Sequence, residues 1–261
     1  NYGQVPTSAS FIYNIIKGGK YKNGIAIENG ATGDIKYNKV DGAEISDDVW
    51  SGSGILVAGS NNVEVSNNLV ENSELGIAVV GYAIWRNAPA KENIIKNNTL
   101  KNNSTGISVE ALSIDTFVSG NSISTTDNVN TTGIDVYSYD LSWEQSTPVG
   151  TVIKNNTFLG QKDDLSTSVH GEYTNTIVGP YVDAKIGNIW NVNDQTDIDE
   201  IESRISHSCS TSPYIHGTCN VNDKSERNGF VEYIEAPVNL GWNISSTKPF
   251  LSLISLTLQV P

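Results

Sequence analysis

The chain has 261 residues, enough for one large domain, with a formal net charge of −13 and an isoelectric point near 4.5. That balance leaves no basic stripe to displace counterions from phosphates, and anionic lipid would repel it, which excludes a nucleic-acid partner. No stretch is apolar enough to cross a bilayer, so membrane insertion is excluded as well.

The chain holds no methionine, begins at Asn1 and shows nothing like a signal peptide there, so it reads as a mature product or a piece of a longer chain.

From residue 9 onward an eight-residue pattern recurs, over 9–16, 33–40, 63–70, 93–100, 116–123, 151–158 and 183–190. The sixth position is always Asn: Asn14, Asn38, Asn68, Asn98, Asn121, Asn156 and Asn188. Two places later stands a bulky apolar residue, from Ile16 through Val40, Val70, Leu100, Ile123 and Phe158 to Trp190. The third position is apolar in the first six windows, while Lys185 breaks the rule in the seventh.

A second signature alternates with the first. Gly24, Gly54, Gly76, Gly106 and Gly133 are each followed by Ile, with another apolar residue two further on. That is the period-2 alternation of a strand buried on one side. Intervals between successive window asparagines are 24, 30, 30, 23, 35 and 32, too uneven for a strict solenoid. They suit a coil whose turns accept loops of different length.

The expectation is an all-β fold: a right-handed parallel β-helix of about seven coils over residues 9–190. Each coil lays short strands around a narrow apolar interior, about 4.8 Å from the next. A turn Asn stacked on its counterpart can satisfy buried backbone and tolerates the left-handed conformation of a sharp corner.

After Trp190 the pattern changes. Asp197 with Glu200 resembles a capping box, and Ile198, Ile201 and Ile205 recur at helical spacing, so a short capping helix is expected. The cap, residues 191–240, also contains a loop between Cys209 and Cys219 and a closing strand around Phe230 and Val231. A Cys209–Cys219 disulfide would contribute roughly 2 to 3 kcal/mol. The spacing lacks the further ligands of a zinc site.

Residues 241–261 form an apolar tail in which Leu251, Leu253, Leu256 and Leu258 recur. It packs back along the coils, links to another domain, or self-associates with another subunit. Glycosylation sequons begin at Asn97, Asn102, Asn103, Asn130, Asn155 and Asn243. With the cysteine pair they point to an extracellular or cell-surface location.

The repeated apolar-x-x-Asn-x-apolar windows with Gly-Ile strands resemble the pectate-lyase-like superfamily of right-handed parallel β-helices. They are most similar to NosD-type and carbohydrate-associated β-helix surface proteins. The resemblance implies a fold that hosts lyases, hydrolases, adhesins and spacers alike, so function must be argued from the site. It implies an Arg or Lys base for a lyase, and Asn-Thr-Asp, Asp-Asp, Gly-His-Gly and Arg-Ile-Lys motifs for a polygalacturonase. Only Arg86, Arg204 and Arg227 are present, and of those motifs the chain has Asp47-Asp48 and Asp163-Asp164, with His170-Gly171 lacking its first Gly.

One constellation remains. Residues flanking the inward pair of the Gly-Ile strands point outward, which sets Ser108 and Glu110 beside Asp135 and Tyr137. Glu110 and Asp135 become diagonal neighbours, about 5 to 9 Å apart, a range that serves glycoside hydrolysis. Long loops at 80–92 and 138–150 carry Tyr82, Trp85, Arg86, Tyr139 and Trp143 over this acidic floor, with only a short loop at 111–115 between them.

Two functions follow. One is a non-catalytic structural or adhesive surface module, self-assembling through its terminal strand. The other is a polysaccharide-binding or polysaccharide-degrading protein using this groove, with Glu110 and Asp135 as the catalytic candidates. The plain alternative for the groove is a solvated acidic face with two self-packed loops. No cofactor is expected. Calcium held by Asp163 and Asp164, or by Asp194, Asp197 and Asp199, is the one metal alternative, and helix capping competes for the second set.

Overall fold

The computed structural model describes residues 7–20, 22–43, 52–81, 88–126, 131–141, 144–171 and 182–191. Three parallel sheets run along one axis, and the chain visits them in turn. Coil one contributes Ser8–Ile12 to the first sheet, Ile15–Lys17 to the second and Ile25–Glu28 to the third. Coil four repeats the order with Ile94–Lys96, Thr99–Lys101 and Thr105–Val109. The first sheet holds seven strands, ending with Val182–Ile186, so the expected seven coils are present.

Register follows the sequence windows. Phe11, Ile35, Val65, Ile95, Val118 and Ile153 stack on the first sheet, one per coil. Ile16, Val40, Val70, Leu100, Ile123 and Phe158 do so on the second, and Trp190 closes that column with its ring on Phe158, centroids 5.1 Å apart. The third sheet stacks Ile25, Ile55, Ile77, Ile107, Ile134 and Leu165. Together these columns fill the interior. Lys185 disturbed the seventh window, and the register shifts there: Ala184 and Lys185 lie opposite Ile153 in a bulge, and the buried Ala184 takes the inward role.

The corner between the first two sheets is held by the asparagines. In each of the six steps the leading Asn donates its backbone N–H and its Nδ2 to the Oδ1 of the next, at 2.9 to 3.1 Å. The second Nδ2 hydrogen of Asn68 goes back to the Ile35 carbonyl, and those of Asn98 and Asn121 to the carbonyls of Val65 and Ile95. A polar ladder thus runs through an apolar wall with its groups satisfied, which is the condition for burying amides at all. The residue before each ladder Asn is left-handed at five of the seven corners through Tyr or Asn and at two through Gly120 and Gly187.

The corner leading into the third sheet is closed by glycine for a steric reason. A Cβ on Gly106 would lie 2.5 Å from the Gly133 carbonyl oxygen and 2.7 Å from Ile123, and Gly24, Gly54, Gly76 and Gly133 are as tight. In coil six Asp164 stands at this place, with no further rung of the third sheet below it among the described residues. The cap, its helix, the Cys209–Cys219 pair and the tail lie outside the described residues, apart from Asn191.

Candidate functional site

Because Ile107 and Val109 point into the interior, Ser108 must point out, and its lateral neighbours are Ala78 and Asp135. Val109 pairs with Val136, which sets Glu110 at the level of Tyr137 and diagonal to Asp135, as the alternation predicts. The burial differs from expectation. Ser108 and Glu110 are closed off from solvent, at 1% and 0% exposure, while Asp135 and Tyr137 are half-buried. Instead of an open acidic floor there is an enclosed carboxylate beside a partly accessible one.

Ser108 Oγ donates to Glu110 Oε1 at 2.8 Å, so the buried carboxylate has a fixed donor on its own strand. The same outward side is apolar in the two preceding coils: Leu56, Ala58, Ala78 and Val80 form a separate buried cluster with Leu75 against it. Glu110 sits where that surface changes from apolar to polar. A carboxylate placed there costs stability unless it is hydrogen-bonded, so its presence asks for a role.

The expected loop 138–150 is in large part sheet. Thr132–Leu141 runs ten residues and turns back as Glu144–Ser146, pairing Tyr139 with Ser146 and Leu141 with Glu144. Ser138 Oγ donates to Thr147 Oγ1 at 3.0 Å, both buried, and pins the base of this hairpin. Asp163–Gly171 follows the long strand along its length and pairs Tyr137 with Ser168 and Tyr139 with His170. The third sheet therefore widens in coils five and six into a tongue beyond Asp135. The other expected loop carries Ala90–Lys91, which pairs with Ser113–Ile114, itself bridged to Val149. Gly81 N–H reaches the Ala111 carbonyl at 2.7 Å, which ties this edge down.

The structure thus brings Ser108, Glu110, Asp135 and Tyr137 together and extends their sheet through Tyr139. Tyr82, Trp85, Arg86 and Trp143 lie outside the described residues. His170 was not expected here; its place next to Tyr139 depends on the length of the coil-six strand, which has no Gly-Ile signature to announce it.

Asp163 and Asp164 do not converge. Asp163 is exposed and Asp164 is buried, and the Asp164 carboxylate accepts the Asn191 N–H. Burial raises Asp164 to about 6, against the Asn191 hydrogen bond and with help from Asp163. Among the described residues no three His, Cys, Asp or Glu gather as a metal site. Of the sequons, Asn97, Asn102 and Asn155 stand exposed at left-handed corners. Asn103 is a correction: it is buried, accepts the Ser73 N–H and donates to the Val70 carbonyl, so it is scaffold. Asn130 and Asn243 lie outside the described residues.

A family model described as "Right handed beta helix region" matches residues 23–205. No curated protein matches. Among solved structures the chain is similar to the catalytic domain of a GH87 α-1,3-glucanase in complex with tetrasaccharides, at 16% identity and a TM-score of 0.37. The match covers 69% of this chain and 40% of that one.

Proposed function

Since the chain belongs to the family of right-handed β-helix regions, we propose that it is an extracellular surface module that adheres to polysaccharide through the outer side of its third sheet. The observation that carries this reading is the half-buried pair Asp135 and Tyr137, set beside the enclosed Glu110 and its donor Ser108 where the outer face turns from apolar to polar. An apolar face becomes carboxylate, phenol and hydroxyl within two rungs, which suits partners that present both ring faces and hydroxyls.

Coils about 4.8 Å apart give a polymer laid along the axis one contact row per rung. The longer strands of coils five and six extend the sheet beyond that track. Exposed Asn97, Asn102 and Asn155 offer glycosylation positions consistent with an extracellular chain. Binding is favoured over cleavage because an acid or nucleophile must touch the scissile oxygen, and Glu110 has no exposed surface.

The test is a glycan array and a reducing-end assay on the full chain beside Asp135→Asn and Tyr137→Ala. Binding of at least one polymer, weakened about tenfold or more in both variants with unchanged circular dichroism, is expected. No binding to any polymer, or equal binding by the variants, overturns the reading. Release of reducing ends that Glu110→Gln abolishes would replace adhesion with hydrolysis.

A further inference from the structure

The three sheets differ in the charge they turn outward. On the first, Lys36 bridges Asp34 and Glu64, each at 3.0 Å, and Lys96 reaches Glu64 at 3.3 Å. On the second, Lys39 meets Glu71 at 2.8 Å. Acids there stand beside bases of the same or the adjoining coil, so both faces are mixed in sign. The third sheet is not. Its two outward columns run from Ala26 to Ser166 and from Glu28 to Ser168, and every position in them lies among the described residues. Their charged members are Glu28, Glu110 and Asp135, with no lysine or arginine in either column.

Burial decides which of these groups a ligand can reach. Asp135, Tyr137 and Ser166 are half-buried, whereas Ser108, Glu110 and the outward Leu56, Ala58, Ala78 and Val80 are closed off. On coils five and six the accessible outward groups are thus a carboxylate, a phenol and a hydroxyl, with Glu110 diagonal to Asp135. Lys162 is exposed at the corner before Asp163–Gly171, four residues from Ser166. That is about 13 Å along an extended strand, beyond the screening length of about 8 Å at physiological salt, so this cation offsets Asp135 little.

An ionised carboxylate only accepts hydrogen bonds, while a phenol or a serine hydroxyl both donates and accepts. Sugar hydroxyls complement all three, because each brings a donor and an acceptor. A uronate carboxylate brings no donor and repeats the charge. Since a polyuronate carries one on every sugar, no register along the axis keeps its charges away from Asp135. Salt relieves such a like-charge contact less at a half-buried group than at a fully exposed one.

We propose that the outer side of the third sheet selects an uncharged polysaccharide and rejects polyuronates, with Asp135 as the residue that sets the selection. The inference rests on the polysaccharide reading above and adds to it the class of polymer. A misplaced like charge discriminates as effectively as a well-placed hydrogen bond, and here one carboxylate does both.

The test pairs neutral glucans, galactans and mannans with the same polymers oxidised to carboxylates at C6, and titrates each against the full chain. At least one neutral polymer is expected to bind, with its oxidised form about tenfold or more weaker. Asp135→Asn narrows that ratio about threefold or more, whatever it does to the neutral polymer. Ser166→Asp places a second carboxylate beside Asp135 and widens the ratio, a readout that stands even if Asp135→Asn loses all binding. Both variants are compared at unchanged circular dichroism. An oxidised polymer bound as tightly as its neutral parent, with or without added calcium, overturns the inference and leaves the polysaccharide reading standing. So does a ratio that neither substitution moves. Binding of no polymer overturns the polysaccharide reading itself, and this inference with it.

Discussion

The Asn corner and the outer side of the third sheet belong to the same coils, yet one barely changes along the axis and the other changes at every step. At the corner seven coils keep one side chain, because each Asn between the two ends serves as acceptor for the coil before it and as donor for the coil after it. On the outer side, Ala26, Leu56, Ala78, Ser108, Asp135 and Ser166 follow one another in a single column. No rung there needs its neighbour to be identical. Repetition marks contact between coils, and departure from it marks what faces outward.

The comparison sharpens most at the centre of the ladder. Asn98→Ala removes the acceptor of two Asn68 hydrogens and the donor to the Val65 carbonyl, all buried. Leaving those groups unmet is expected to cost about 4 kcal/mol in urea unfolding, against less than about 1 kcal/mol for Asn97→Ala one residue away. Equal losses would mean that the ladder is ornamental. Gly106→Ala comes next: its Cβ meets backbone at 2.5 Å, so a loss of about 3 kcal/mol is expected by the same measurement.

The smallest effect concerns Asp164, the residue standing in the glycine column where the stack of the third sheet ends. Its folded carboxyl, raised to about 6 by burial, holds a proton more tightly than the unfolded one at about 3.9. The stability it contributes is therefore present below about pH 4 and lost as pH rises through 6, by about 2 kcal/mol once the roughly 3 kcal/mol of the full difference is reduced for solvent screening. Asp164→Asn is expected to flatten that part of a stability-against-pH curve. A slope unchanged by the substitution would remove Asp164 from the explanation.

Much of this architecture can be read directly from residue order. Asn at fixed phase with apolar partners locates both columns of the first two sheets, and Gly-Ile locates five rungs of the third. The sixth rung is hidden because Asp164-Leu165 replaces Gly-Ile where the crowding that demands glycine ends. The hairpin at 138–146 reads as a loop, since an antiparallel return has no partner elsewhere in the repeat. At the candidate site, neighbourhood is legible and burial is not. Period-2 alternation states that Ser108 and Glu110 point away from the interior, but whether that side is covered depends on non-repeating segments. Asn103 misleads for a related reason: a sequon is three residues long, whereas its burial is set by Ser73 one coil earlier.

Residue-resolved hydrogen exchange of the ladder amides tests the central claim most directly. The backbone N–H groups of Asn38, Asn68, Asn98, Asn121 and Asn156, each 2.9 to 3.0 Å from the next coil's Oδ1, should exchange only with global unfolding, and Asn68 should lose that protection in Asn98→Ala. Rapid exchange at these five positions, or an Asn68 amide indifferent to the loss of Asn98, would contradict it.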